Sequence, residues 1–155
     1  MLQTDHIWLL KLSPAPRASG KKLIATFSVD GKTKTTLFGS QGSFDFLSHQ
    51  DRERRRKYVL RHYKDLLTND PTRPGYLSYY ILWGPTTNLE ENVNQFTFKL
   101  RNNKFSRITQ KQVAEFRNEH KINNNNKGEN KNKSKSKSNK KEQKKSRKGT
   151  MKTKK

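Results

Sequence analysis

Leu23-Ile24-Ala25-Thr26-Phe27-Ser28-Val29-Asp30-Gly31-Lys32-Thr33-Lys34-Thr35-Thr36-Leu37-Phe38 is the stretch that decides the fold. Two β-prone runs flank Asp30-Gly31. A two-residue turn of type I′ needs positive φ at both central positions, and Asp-Gly is one of the few pairs that accept it. The pattern therefore predicts a β-hairpin. Alternation supports it: Leu23, Ala25, Phe27 and Val29 share one face. In the second arm Lys32, Lys34 and Thr36 fall on one face, and Thr33, Thr35 and Leu37 on the other. One face of the hairpin is expected to be wet and to carry the lysines.

Upstream, His6 to Leu12 is an apolar run that stops at Ser13-Pro14-Ala15-Pro16, and it reads as a further strand. Downstream, Gly39 and Gly42 break the alternation. Ser48, just before His49-Gln50-Asp51, is the candidate N-cap of a helix running to about Leu67. Val59, Tyr63, Leu66 and Leu67 recur at helical spacing. At about 100° per residue, Arg54, Lys57, Arg61 and Lys64 gather on the opposite side, while Arg52, Arg55 and Arg56 project from the first turns of the apolar side. Tyr76 to Trp83 is apolar nearly all round and closes at Gly84-Pro85, which predicts a short buried helix. Leu89, Val93, Phe96 and Leu100 predict an amphipathic helix over Thr87 to Leu100. Thr109 with Gln112 forms a capping box that opens a last helix, Gln110 to about His120, anchored by Val113 and Phe116.

Composition bounds the function. The chain has 155 residues, 28% of them hydrophobic, a formal net charge of +22 and no cysteine. The absence of cysteine excludes disulfides, thiolate metal sites and a cysteine nucleophile. Ile7 to Leu10 is far too short for a signal peptide, and no run approaches the ~20 apolar residues of a membrane span. A soluble, intracellular protein without membrane contact is expected. From Lys121 to Lys155 the chain holds 15 Lys and Arg against two acids, with Ile122 and Met151 its only sizeable apolar residues. Such a segment cannot bury enough apolar surface to offset the entropy of ordering, so a disordered Lys/Asn/Ser-rich tail is expected behind a basic domain of residues 1–120.

Four constellations carry possible chemistry. The first is a polyanion surface built from Lys32, Lys34, Arg52, Arg54, Arg55, Arg56, Lys57, Arg61 and Lys64 together with the tail. Each phosphate such cations neutralise releases counterions, a gain that falls with salt. The second is a metal or nuclease site from Asp45, His49, Asp51 and His62, set against a reading in which Asp45 caps a turn or pairs with an arginine. Their spacing matches no hydrolytic motif. The third is a phosphate cradle at Gly39-Ser40-Gln41-Gly42. No Gly-Lys-Ser/Thr follows, so a P-loop is rejected and a plain turn is favoured. The fourth is the aromatic run Tyr76, Tyr79, Tyr80 and Trp83, which either stacks bases or fills the core. A chain this poor in aliphatics needs its aromatics inside. Trp83 is expected to be mostly buried against Val59, Tyr63 and Leu66.

Phe38-Gly39…Gly42…Asp45-Phe46…His49…Asp51, the basic run, Tyr58…Arg61-His62 and Gly75-Tyr76-Leu77-Ser78…Ile81-Leu82-Trp83…Pro85 resemble a family of small basic proteins. These are encoded by large nucleocytoplasmic DNA viruses of algae and amoebae, of the phycodnavirus, mimivirus and marseillevirus kinds. The likeness spans roughly residues 21–90. It departs after Arg61-His62, where Asp65 and Leu66-Leu67 stand in place of a Glu and a Trp. It implies a viral setting, in the virion and the host cell interior, and carries no catalytic residue over.

The expected protein is thus an α+β domain: a small antiparallel sheet covered by three or four helices. Its expected work is non-enzymatic and needs no cofactor or metal. It is expected to bind viral nucleic acid without sequence preference, with DNA the expected kind and the choice between DNA and RNA left open by the sequence. The alternative is a structural protein docking on acidic capsid or core proteins. Deleting residues 121–155 should leave the thermal transition of the remaining domain nearly unchanged while non-specific DNA affinity drops sharply. A melting curve and a DNA titration of the truncated chain check both.

Overall fold

The computed structural model describes residues 1–120; the expected tail, residues 121–155, lies outside the described residues. Three strands, β1 (Ile7–Pro14), β2 (Lys21–Val29) and β3 (Lys32–Ser40), form one antiparallel sheet in sequence order. Asp30 and Gly31 both take positive φ, 50° and 75°, as a type I′ turn requires. Helices follow: α1 (Phe46–His49), α2 (Arg52–His62), α3 (Pro74–Leu77) and α4 (Leu89–Arg101). A 3₁₀ segment, Tyr63–Thr68, continues α2, and a single π-helical turn, Ser78–Leu82, continues α3. This is the α+β architecture expected, an antiparallel sheet packed against helices.

The described residues divide into two compact units. Residues 1–114 form the first. In the second only residues 115–120 are described, the end of a helix α5 (residues 110–120), where the Phe116 and His120 rings lie 4.4 Å apart. The predicted capping box opens α5: the Thr109 N–H donates to Gln112 Oε1 at 2.9 Å, and the Gln112 N–H to Thr109 Oγ1 at 3.3 Å.

In the first unit the core joins Ala25, Phe27 and Phe38 of the sheet to Leu66, Tyr76, Leu77, Ile81, Phe96, Leu100 and Phe105. The register places Val29 opposite Lys32, Phe27 opposite Lys34 and Ala25 opposite Thr36. The lysines therefore stand on the core side of the sheet, which corrects the expectation of a separate wet face. Paired residues in an antiparallel ladder point the same way, so a lysine opposite Phe27 must share its side. Lys34 escapes burial by reaching Asp70 at 3.3 Å and the hydroxyl of Thr72. The opposite face carries Trp8 and Leu37, 47% and 38% exposed, and beside them Leu10 bulges from the edge strand at 60%.

The helix boundaries also differ from expectation. Asp51, not Ser48, caps α2, accepting from the N–H groups of Glu53 and Arg54 at 2.9 and 3.1 Å. Ser48 instead closes a capping box with Asp45 on the one-turn α1. A carboxylate outcompetes a hydroxyl for the free N–H groups at a helix start because it also meets the macrodipole. The regular helix stops at His62 rather than at Leu67.

In α4 the buried stripe is Asn92, Phe96 and Leu100, while Leu89 is exposed and Val93 half-buried. Asn92 is tolerated inside because its amide is fully used. Its Nδ2 donates to the carbonyls of Ile81 and Thr86 at 3.0 and 2.9 Å. Its Oδ1 accepts from the Thr86 N–H and hydroxyl at 3.1 and 2.9 Å. Asn92→Ala should cost about 2–4 kcal/mol, since it orphans several groups at once; urea unfolding measures it.

Candidate nucleic-acid interface

The basic helix α2 buries no residue completely, so other contacts must hold it to the fold. Tyr58 supplies one: its ring stacks on Trp83 at 4.0 Å between centroids with an interplanar angle of 1°. His62 stacks on the other side of Tyr58 at 4.1 Å, and His49 leans on Trp83 at 5.2 Å. His62, Tyr58, Trp83 and His49 thus form a continuous ladder of rings. Burial pushes the Tyr58 phenol up to about 12, with the Asp65 carboxylate adding to it, so the phenol is neutral throughout the physiological range.

Arg55 supplies the second contact. Its Nε donates to the carbonyls of Trp83 and Gly84, at 3.1 and 2.6 Å, and its guanidinium lies 5.5 Å from the Phe46 ring centroid. These carbonyls follow the π turn, which closes with the Trp83 N–H donating to Ser78 O at 2.9 Å. Such turns leave carbonyls unpaired and recur at functional sites. Trp83 is half-buried, and its ring partners are Tyr58 and His49. It is thus less buried than expected, and its ring contacts are with Tyr58 and His49 rather than with Tyr63. The aromatic run is otherwise interior: Tyr76 is fully buried with its hydroxyl on Leu66 O at 3.2 Å, and Tyr79 and Tyr80 pack on the core.

Two concavities meet at Phe44 and Trp83. One is a groove of about 380 Å³ lined by Phe44, His49 and Trp83 together with Arg54, Lys57 and Arg61. The second is a cavity, also about 380 Å³, whose walls include Lys22, Ser43, Asp45, Tyr58, His62 and Asp65. Inside it Lys22 pairs with the buried Asp45 carboxylate, and His62 Nδ1 donates to Asp65 Oδ2 at 2.8 Å. His49 Nδ1 accepts from the Asp51 N–H at 2.9 Å, which puts its proton on Nε2, a buried atom without a hydrogen-bond partner among the described residues.

The nine polyanion candidates separate into groups. Arg54, Lys57 and Arg61 stand exposed along the groove, with Lys64 exposed beyond them. Lys57 and Arg61 have no carboxylate partner among the described residues, and Arg54 only a 4.0 Å approach to Asp51. Arg55 is a tether, Arg56 is half-buried and pairs with Glu53 at 3.3 Å, and Lys34 is committed to Asp70. Arg52 lies in a different concavity with Gln50 and Pro85, and Lys32 sits at the hairpin tip.

The other candidate sites dissolve into local roles. Asp45 caps α1 and pairs with a lysine rather than an arginine; Asp51 caps α2; His62 orients on Asp65. Among the described residues, no three His, Asp or Glu side chains group as metal ligands. In the glycine loop the N–H groups of Gln41 and Ser43 donate to Gly20 O and Ser40 O, at 3.0 and 3.3 Å, so the plain turn accounts for it. Gly39 has φ 71°, and a Cβ there would fall 2.5 Å from Leu82 Cδ1, so only glycine fits. No helix among the described residues is long and apolar enough to cross a membrane.

Phe44 is the residue that sequence reasoning passed over. It is 72% exposed between the two concavities. The available signal was a large aromatic in a Gly/Ser loop, two residues after Gly42 and shortly before the basic helix. Arg55 and Lys57 separate tether from exposed face by stability: Arg55→Gln should cost about 1–3 kcal/mol, for bonds from a charged donor to buried carbonyls. Lys57→Gln should stay within ~0.5 kcal/mol. Urea unfolding of both variants measures the contrast.

Residues 10–62 match the model of a family of unknown function, DUF5754. No curated protein and no solved structure matches the chain. The matched stretch takes in most of the sheet, the Phe44 loop and the whole of α2, and it stops before Trp83.

Proposed function

We propose that this chain is a non-enzymatic basic protein that binds nucleic acid without sequence preference, in a viral particle or chromatin-like setting. The observation that carries the reading is the row Arg54, Lys57 and Arg61, exposed along a groove with Lys57 and Arg61 lacking a carboxylate partner among the described residues. Neighbouring cations at i, i+3 and i+4 on one helix face repel one another, and those of the first turn, Arg52 and Arg54, also oppose the macrodipole. The Asp51 cap, whose carboxyl is held below its ordinary range by the N–H groups of Arg54 and Glu53, relieves this in part. A phosphate backbone relieves it further and releases counterions. The sequence contributes the same chemistry again in the strongly basic 121–155 segment.

A second reading, docking on an acidic capsid or core protein, draws on a different surface. Trp8, Leu10 and Leu37 leave apolar area on the sheet that nucleic acid would not cover, and contiguous exposed apolar area marks protein contacts. A pull-down from infected cells with and without nuclease separates the two, because a protein partner survives digestion.

Replacing Arg54, Lys57, Arg61 and Lys64 together with Gln should weaken DNA binding and flatten its salt dependence, by about 0.9 in log–log slope for each duplex phosphate no longer neutralised. Titrations over a salt series read the slope directly. An unchanged slope would reduce this face to a solvated surface.

A further inference from the structure

We infer that the cleft around Phe44 takes an unpaired nucleotide, so that the chain prefers single-stranded nucleic acid to duplex. The inference rests on the nucleic-acid reading above and adds a geometric reason to it. Trp83 and Tyr58 cover each other, so neither offers a free pair of faces. Phe44 does: it is 72% exposed, and no ring or cation stacks against it among the described residues. An exposed ring beside a cation row is the arrangement by which single strands are held, one base on the ring and phosphates on the charges. Arg54 to Arg61 spans about 10 Å along α2, enough to follow consecutive phosphates past the ring.

The cavity on the far side of Phe44 strengthens the choice. At about 380 Å³ it falls within the size range of ligand sites, roughly 300–1,000 Å³. Its walls present the Lys22–Asp45 pair, the Ser43 hydroxyl and the His62–Asp65 pair. Each pair is internally satisfied, and the capacity left over, the remaining Lys22 N–H groups and the Ser43 hydroxyl, suits the polar edge of a base. A paired base keeps that edge and both its faces inside the duplex, so only an unpaired one can use the ring and the cavity together.

The test uses the full chain, a short labelled oligothymidylate and a duplex of equal length. Phe44→Ala should weaken single-strand affinity about tenfold, ~1.4 kcal/mol, in the range of one base stack, and leave duplex affinity unchanged. Phe44→Tyr should restore it. Oligonucleotides carrying 5-iodouracil should crosslink under ultraviolet light to a peptide containing Phe44. Equal loss on both nucleic acids, no loss on either, or crosslinks confined to residues beyond 120 would overturn the inference. The Arg54→Gln, Lys57→Gln, Arg61→Gln variant keeps the two readings apart. If it weakens both nucleic acids while Phe44→Ala weakens neither, only the single-strand preference falls. If it weakens neither, the α2 face is not the binding surface and both fall.

Discussion

The parallel contact of Tyr58 with Trp83 is the constraint on which the rest of the site depends. Helix α2 is so rich in arginine that it has no fully buried residue with which to join the core. It is held instead by half-buried groups: a ring laid flat on a ring, and an arginine bonded to the carbonyls at the end of a π turn. A ring pair adds roughly 0.5–1.5 kcal/mol beyond its buried area. A charged hydrogen bond adds somewhat more. Together they dock a helix that its own hydrophobicity would leave in water.

That mode of attachment decides what the helix can offer. Because Tyr58, His62 and Arg55 face inward, Arg54, Lys57 and Arg61 must face outward, at the helical spacing that separates the two sides. The same contact occupies the indole of Trp83 and turns it from a platform into a wall. Phe44, carried on a loop after β3 that the core does not reach, is left as the exposed ring. Cations and ring therefore border one groove through constraints of packing, with no specific bond between them.

Much of this was legible in the chain. Asp30-Gly31 announced the hairpin because only a few residue pairs accept two positive φ values in succession. Thr109 with Gln112 announced the start of α5, because a capping box acts within a single turn. The outward row of α2 followed from periodicity alone. The errors fell where two local signals competed or where a face had to be assigned to a side. Ser48 was the expected cap of α2, yet Asp51 competes three positions on, and the one-turn α1 uses both Asp45 and Ser48 before α2 begins. The lysines of β3 were placed on an open face because alternation within one arm does not state the pairing across the turn: Val29 opposite Lys32 puts Lys34 on the side of Phe27. Asn92 was invisible as a core residue because its four hydrogen-bonding partnerships come from groups 6 and 11 residues away.

The sequence by itself determined the hairpin, most of the helical segments and the chemistry of the exposed helix face, because dihedral preference and helical periodicity are properties of neighbours. Tertiary structure alone decided which cations are tethers, which ring is free and what encloses the cavity. Arg55 and Lys57 differ by two positions and a rotation of about 200°, yet one meets the carbonyls of Trp83 and Gly84 while the other meets solvent. The distinction lies in the meeting of α2 with the π turn, residues some 28 positions apart. Their approach is set by the volume and shape of the core between them, which no short stretch of the chain encodes.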